Sequence, residues 1–252
     1  MCAKMQQMSM LTSVARLACL GLALLNGGLN AHADELADFN AAVEAASSHN
    51  RVAIGYLRTG NADLASLEID RLRDDWNRFT ERFAGTRPSA FDGNTLYATL
   101  FTGVSARLVG ADIMLKTGRL DAASAALNAI RRDFYDLRKA SGIVVLADCI
   151  RDANAIMDTL MVYNNRALDW DSSEMHRSLA AKASSYGANL DRCDGMASDT
   201  VRAAPEFRRL VDGAKSSLGL IPKAIETRDT DLLHRVLIEL RSFDNLLAFR
   251  YG

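Results

Sequence analysis

The chain is 252 residues long and carries 30 Lys and Arg against 31 Asp and Glu. Residues 1–33 hold two of the basic side chains and none of the acidic ones, so the remaining 219 residues have a net charge of −3. Such an evenly mixed, mildly acidic surface excludes an electrostatic footprint for nucleic acid, and the length suits one large domain or two of about 110 residues.

The N-terminus reads as a secretory leader. Lys4 and Arg16 form its basic part, Leu17 to Leu25 its short apolar part, and Ala31-His32-Ala33 a cleavage site before Asp34. The apolar run is shorter than the roughly 20 residues a bilayer-spanning helix needs. A lipid anchor on Cys19 fits less well, because this cysteine opens the apolar run and does not close it. No later segment reads as transmembrane, so the expectation is an exported periplasmic or secreted product.

Beyond Asp34, apolar residues recur at spacings of three and four and proline is scarce, which predicts an all-α chain. The first helix is expected over Glu35–Arg58. Asp63 then caps a second helix bearing Ile69, Leu72, Trp76, Phe79 and Phe83 on one face. After the loop Ala84–Ser89, a third helix spans Gly93–Lys116, and a fourth follows Asp121 with Leu127, Ile130, Phe134 and Leu137 inward. The fifth runs over Gly142–Asn165, with Leu146, Cys149, Ala153, Ile156, Met157, Leu160 and Met161 on its stripe and Asp148, Asp152 and Asp158 away from it. Asp171 or Ser172 starts the sixth, whose stripe is Met175, Leu179, Tyr186, Leu190 and Cys193. A loop over Asp194–Ala204 precedes a seventh helix from Pro205 to Thr227, kinked at Pro222. The eighth follows Asp231 with Val236, Leu237, Leu240, Phe243 and Leu247 inward. This is an up-and-down arrangement of eight helices in four antiparallel hairpins. It can be built as two four-helix units, 34–140 and 141–252, or as a solenoid.

One turn is written three times, at Leu57-Arg58-Thr59-Gly60-Asn61-Ala62-Asp63, Leu115-Lys116-Thr117-Gly118-Arg119-Leu120-Asp121 and Ile225-Glu226-Thr227-Arg228-Asp229-Thr230-Asp231. Gly60 and Gly118 supply the left-handed residue that ends a helix. Asp63, Asp121 and Asp231 are expected to accept the orphan N–H groups of the next helix and complement its dipole. Arg228 stands where the other copies have glycine, so the third turn must close differently or carry strain.

The stretch from Ala111 through Gly118 and Asp121 to Leu127 resembles the helix–turn–helix of periplasmic cytochrome b562 and cytochrome c′ bundles. That resemblance implies a four-helix bundle in the periplasm. It does not bring the haem with it. C-x-x-C-H is absent, and the positions 20 residues after the turn residue, where the b-type relatives carry a histidine, are Thr80, Arg138 and Ala248. Gly60-x-x-x-x-Ala65 and Gly118-x-x-x-x-Ala123 also resemble tetratricopeptide turns, although the 58-residue spacing between them exceeds that repeat's 34.

Cys2 and Cys19 leave with the leader, so Cys149 and Cys193 remain as an even pair in an oxidising compartment. Both lie on apolar stripes, about 20 residues before and 24 after the loop near Asp169, a mismatch of about 6 Å along paired helices. A structural disulfide is expected, with two buried thiols as the alternative.

Few residues invite chemistry. His49, His176 and His234 have no ligand spacing between them, and no His/Cys cluster suggests zinc. Met161 and His234 fall on helices expected to run side by side, which makes them the candidate haem or copper pair. Core filling for Met161 and a first-turn polar role for His234 are the preferred reading of the two residues. Asp148 and Asp152 are four apart but only two carboxylates, and Ser172 and Ser173 have no neighbouring base. Trp76, Phe79, Phe83, Phe134 and Phe243 read as core. Arg71, Arg73, Arg78 and Arg82, interleaved with Asp70, Asp74, Asp75 and Glu81, read as a solvated, ion-paired face. Phe249 and Tyr251 are left over near the C-terminus and suit docking on the first unit or on a second subunit. No nucleophile, base and oxyanion site assemble. The expectation is a non-catalytic binding or assembly module, cofactor-free, whose partner is a periplasmic protein or a small ligand.

Overall fold

The computed structural model describes residues 34–164 and 166–252, and the leader read from residues 1–33 lies outside them. All regular structure among the described residues is helical, so the protein is an all-α helical bundle. The chain divides into two compact units at Ser141/Gly142.

The first unit holds α1 (34–58), α2 (Ala62–Phe83), α3 (Thr95–Lys116) and α4 (Leu120–Ala140), with a short 3₁₀ turn at Ser89–Phe91 before α3. Its core is aromatic. Phe39 of α1 meets Phe79, Phe83 and Phe91 at centroid distances of 5.1, 5.3 and 4.8 Å, and Trp76 stacks on Phe79 at 5.1 Å. The polar ends of the larger rings are satisfied: Trp76 Nε1 donates to Ser105 Oγ at 2.9 Å, and the Tyr97 hydroxyl donates to Phe83 O at 2.7 Å. Buried Asn50 ties α1 to α4 by donating to Leu127 O at 3.1 Å. The basic face of α2 is ion-paired as expected, with Arg71–Glu68 at 2.7 Å, Arg73–Asp70 at 2.9 Å, and a further Arg78–Asp75 pair. One helix among the described residues, α3, has the length and composition of a membrane span. It is built into the bundle, with Tyr97, Leu100, Val104, Leu108, Ala111 and Leu115 in the core.

The second unit holds α5 (Leu146–Met161), α6 (Ser173–Met196), α7 (Asp199–Ala203), α8 (Pro205–Leu218), α9 (Ile221–Thr227) and α10 (Thr230–Tyr251). Helix α5 packs on α6 and α10, and α8 packs on α10 and α6, so four helical rods surround one core. Phe207, Leu179, Leu190, Tyr186 and Met157 are fully buried there, each contributing about 1.5–3 kcal/mol by leaving water. Cys149 and Cys193 form a disulfide joining α5 to α6, with 5.5 Å between their Cα atoms.

Several boundaries differ from the expected ones. Helix α5 starts at Leu146, not Gly142, because Gly142 is left-handed (φ 69°) and the following Ile143-Val144-Val145 is a β-branched run. It ends at Met161 with three-residue bonds from Tyr163 N to Leu160 O and from Asn164 N to Met161 O, which tighten its last turn. The expected seventh helix is two helices. Pro222 has no N–H, and its ring excludes the carbonyl four residues back, so α8 stops at Leu218 and α9 restarts with Pro222 in its first turn. The expected loop before Pro205 contains α7, capped by Ser198 accepting from Val201 N at 3.3 Å. Arg202 of α7 donates to the carbonyls of Asp194, Gly195 and Ala197, satisfying the C-terminal end of α6.

The three written turns close with one hydrogen-bond pattern. In each, the left-handed residue donates three residues back and its successor five back: Gly60 to Leu57 and Asn61 to Tyr56, Gly118 to Leu115 and Arg119 to Met114, Arg228 to Ile225 and Asp229 to Ala224. Gly60 and Gly118 have φ of 75° and 73°, as expected; Arg228 takes the same conformation at φ 52° despite its side chain. The expected caps are corrected. Asn61 and Asp229, not Asp63 and Asp231, accept from the backbone of α2 and α10, at 3.2 and 2.8 Å. In α4 the capping position is Arg119, which makes no side-chain cap, and Asp121 caps nothing. Because the residue that completes one helix end also begins the next helix, Asp63, Asp121 and Asp231 fall inside the first turn, where their charge complements the dipole without accepting an orphan N–H.

Candidate functional site

Helix α6 presents small residues where it faces α8 and α9. Ala180, Ala183, Ser184 and Gly187 recur at helical spacing, and opposite them stand Leu218, Gly219, Ile221, Pro222 and Ile225. Small side chains on one wall and the α8/α9 break on the other leave a groove of about 670 Å³, open to solvent and mostly apolar. That volume lies within the range of small-molecule sites.

The two ends of the groove differ electrostatically. At one end Lys215 pairs with Asp191, and the hydrogen bond that the ammonium donates to this carboxylate holds its pKa above the ordinary value. At the other end stand His176 and Arg177, in the second turn of α6. Arg177 donates to Ser173 Oγ at 3.3 Å and has no carboxylate at ion-pair distance among the described residues. The Trp170 ring packs against the His176 imidazole at 5.8 Å, and its indole N–H donates to Thr230 Oγ1 at 2.8 Å. His176 Nε2 is shielded from solvent and has no hydrogen-bond partner. A second, more polar hollow of about 400 Å³ involves Tyr163, Arg166, Ser172, Glu174, Ser178 and Lys182.

Beneath the groove wall lies a buried polar network. Asp244 of α10 is 1% exposed. Its carboxylate accepts from Asn154 Nδ2 of α5 at 2.5 Å and from the Tyr186 hydroxyl of α6 at 3.3 Å, and it lies 3.2 Å from Arg241. Burial pushes the Asp244 carboxyl up to about 6, and the Asn154 hydrogen bond, the Arg241 charge and the Tyr186 hydroxyl pull against it. Burial, followed by the Asp244 charge, raises the Tyr186 phenol well above its ordinary value. The expected inward stripe of α10 ran through Phe243; here Phe243 is half-buried over Gly213, and Asp244 takes the core position. The spacing Leu233, Leu237, Leu240, Asp244, Leu247 carried that signal, since it puts a carboxylate in line with the apolar residues.

The other expected site residues fall as follows. Met161 is the last residue of α5, partly buried against the core, and His234 is half-buried on α10 with Nε2 unpartnered. The pairs Asn154–Asp244 and Asp158–Arg241 set the antiparallel register of α5 and α10, which puts Met161 level with Ile238 and about one turn, roughly 5 Å along the axis, from His234. Asp148 is buried, not turned away from the core: it accepts from Val145 N at 3.3 Å at the start of α5. Asp152 pairs with Arg192 of α6 at 2.8 Å. Ser172 caps α6 by accepting from Met175 N at 3.2 Å. Tyr251 packs edge-on against Phe207 of its own unit at 5.1 Å, whereas Phe249 is 36% exposed with Arg250 over its ring. In the first unit His49 bridges Glu68 at 2.6 Å and Asp75 at 3.7 Å. Among the described residues, no group of three or more His, Cys, Asp or Glu side chains is arranged to hold a metal ion.

Comparison of the chain with protein-family models, with curated proteins and with solved structures finds no match to any of them.

Proposed function

We propose that this chain is an exported, non-catalytic binding module whose ligand site is the groove between α6 and α8–α9. One observation carries the reading. The second unit is tightly packed around a disulfide and a full core, yet small residues on α6 and the break between α8 and α9 leave about 670 Å³ of apolar space open to solvent. An apolar surface kept open in this way costs stability unless a ligand covers it. The leader pattern and the paired cysteines support export.

Titration of the full exported chain with the neutral dye N-phenyl-1-naphthylamine tests the reading. Saturable, single-site enhancement of dye emission is expected, and Ala183→Trp, which fills the groove, should abolish it while leaving the circular dichroism spectrum unchanged. No saturable binding, or binding that survives Ala183→Trp, would overturn it. A product found outside the cytoplasm and beginning at Asp34 is the expected outcome for export; cytoplasmic retention of the intact chain refutes that part.

A second reading, a haem- or copper-binding bundle using Met161 and His234, has in its favour the shielded, unpartnered Nε2 of His234. Titration with ferric haem followed by the Soret band checks it, and no band shift disposes of it.

A further inference from the structure

The asymmetry of the groove says what kind of molecule suits it. We infer that it takes a single-chain amphiphile with an anionic head, a free long-chain carboxylate, with the head at Arg177 and the chain running along α6 toward Gly187. This rests on the groove being the ligand site.

The argument begins with charge. Lys215, at the far end, is already neutralised by Asp191. Arg177, at the near end, has no carboxylate partner among the described residues and donates only to a serine hydroxyl. Glu174, the nearest acidic residue along α6, belongs to the separate polar hollow beside Arg166 and Lys182. An anion at Arg177 therefore gains a bidentate donor without displacing an existing ion pair.

Shape supplies the second half. Between Arg177 and Asp191 the groove follows α6 for 14 residues, about 21 Å at the helical rise. Its walls along that length are Ala180, Ala183 and Gly187 against Leu218, Ile221 and Ile225, with no free charge. An apolar trough of about 670 Å³ drawn out along α6, with one cationic end, matches a linear acyl chain better than a compact ring system. Methylenes laid in the trough leave water, so each should tighten binding two- to fourfold.

The test is isothermal titration of the full exported chain with decanoate, decanol and decylammonium below their aggregation concentrations. Decanoate is expected to bind at least fivefold more tightly than decanol, and decylammonium more weakly than either. Affinity should rise two- to fourfold per methylene from octanoate to dodecanoate. Arg177→Glu, a change on the exposed surface, should reverse the order of decanoate and decylammonium; Arg177→Gln should bring decanoate level with decanol. Trp170 emission, read through its contact with His176, should change on decanoate binding. Equal affinity for decanol and decanoate, or an order unmoved by Arg177→Glu, overturns the assignment while dye binding to the groove still stands. Decanoate binding that persists in Ala183→Trp puts the acid elsewhere and overturns it too. Binding to phosphatidylglycerol vesicles with none to free decanoate would make the ligand a membrane surface and overturn it as well. If the neutral dye also fails to bind, the groove itself is not a ligand site.

Discussion

Asp244→Asn separates two contributions that the structure sets against each other. The Asp244 carboxyl has its pKa raised from 3.8 to about 6 in the folded state by burial. A folded-state value above the unfolded one means that the native protein holds this proton more tightly than the unfolded chain. The associated stability is fully present below about pH 4, declines as pH rises through 4 to 6, and is flat above. Two pH units at about 1.4 kcal/mol each amount to about 3 kcal/mol, roughly the cost of carrying the charge inside at neutral pH. Asparagine keeps the shape, an acceptor for the Tyr186 hydroxyl, and permanent neutrality. The stability of wild type minus that of Asp244→Asn should therefore fall by about 3 kcal/mol between pH 4 and pH 7, with the variant equal or more stable at pH 7. Urea unfolding followed by tryptophan emission across that range measures the difference, and the common titration of other groups cancels in it. A difference that is flat, or that rises with pH, would mean that Asn154, Arg241 and Tyr186 outweigh the desolvation of the carboxylate, and would refute the reasoning.

The disulfide and the turns give two further tests. Cys149 and Cys193 are 44 residues apart, and the entropy of closing that loop predicts a loss of about 4 kcal/mol on replacing both with serine; reduction should lower the unfolding midpoint of the wild type and leave that of the double variant unmoved. Arg228 is left-handed where its two counterparts are glycine, so Arg228→Gly should stabilise by about 0.5–1 kcal/mol even after losing its exposed pair with Asp171, while Gly118→Ala should cost about 1 kcal/mol. Thermal unfolding of the two variants against wild type checks the opposite signs.

Legibility of this fold in its sequence varied with the range of the interaction. The three turns were readable because the left-handed residue and its hydrogen bonds involve neighbours within five positions. Their caps are ambiguous in the sequence because the same local pattern admits a capping residue at Asn61 or at Asp63, and only the tightness of the turn chooses between them. The break at Pro222 was visible as a kink but not as two helices, since that depends on how far Gly219 and Leu220 depart from the helix. Phe243 and Asp244 are adjacent candidates for one core position, and the choice rests on Asn154 and Tyr186, contributed from two other helices.

The groove was not legible at all. Ala180, Ala183, Ser184 and Gly187 read as unremarkable helix formers and polar fillers; they become a wall only when α6 is set opposite the interrupted α8 and α9. The paired cysteines, the all-helical class and the left-handed glycines follow from residue type, spacing and compartment, which the chain carries in itself. How much space two packed helices leave between them depends on side-chain volumes contributed from both, some 31 to 45 positions apart along the chain. That comparison exists only once the chain is folded, so tertiary structure alone decided where a ligand has room.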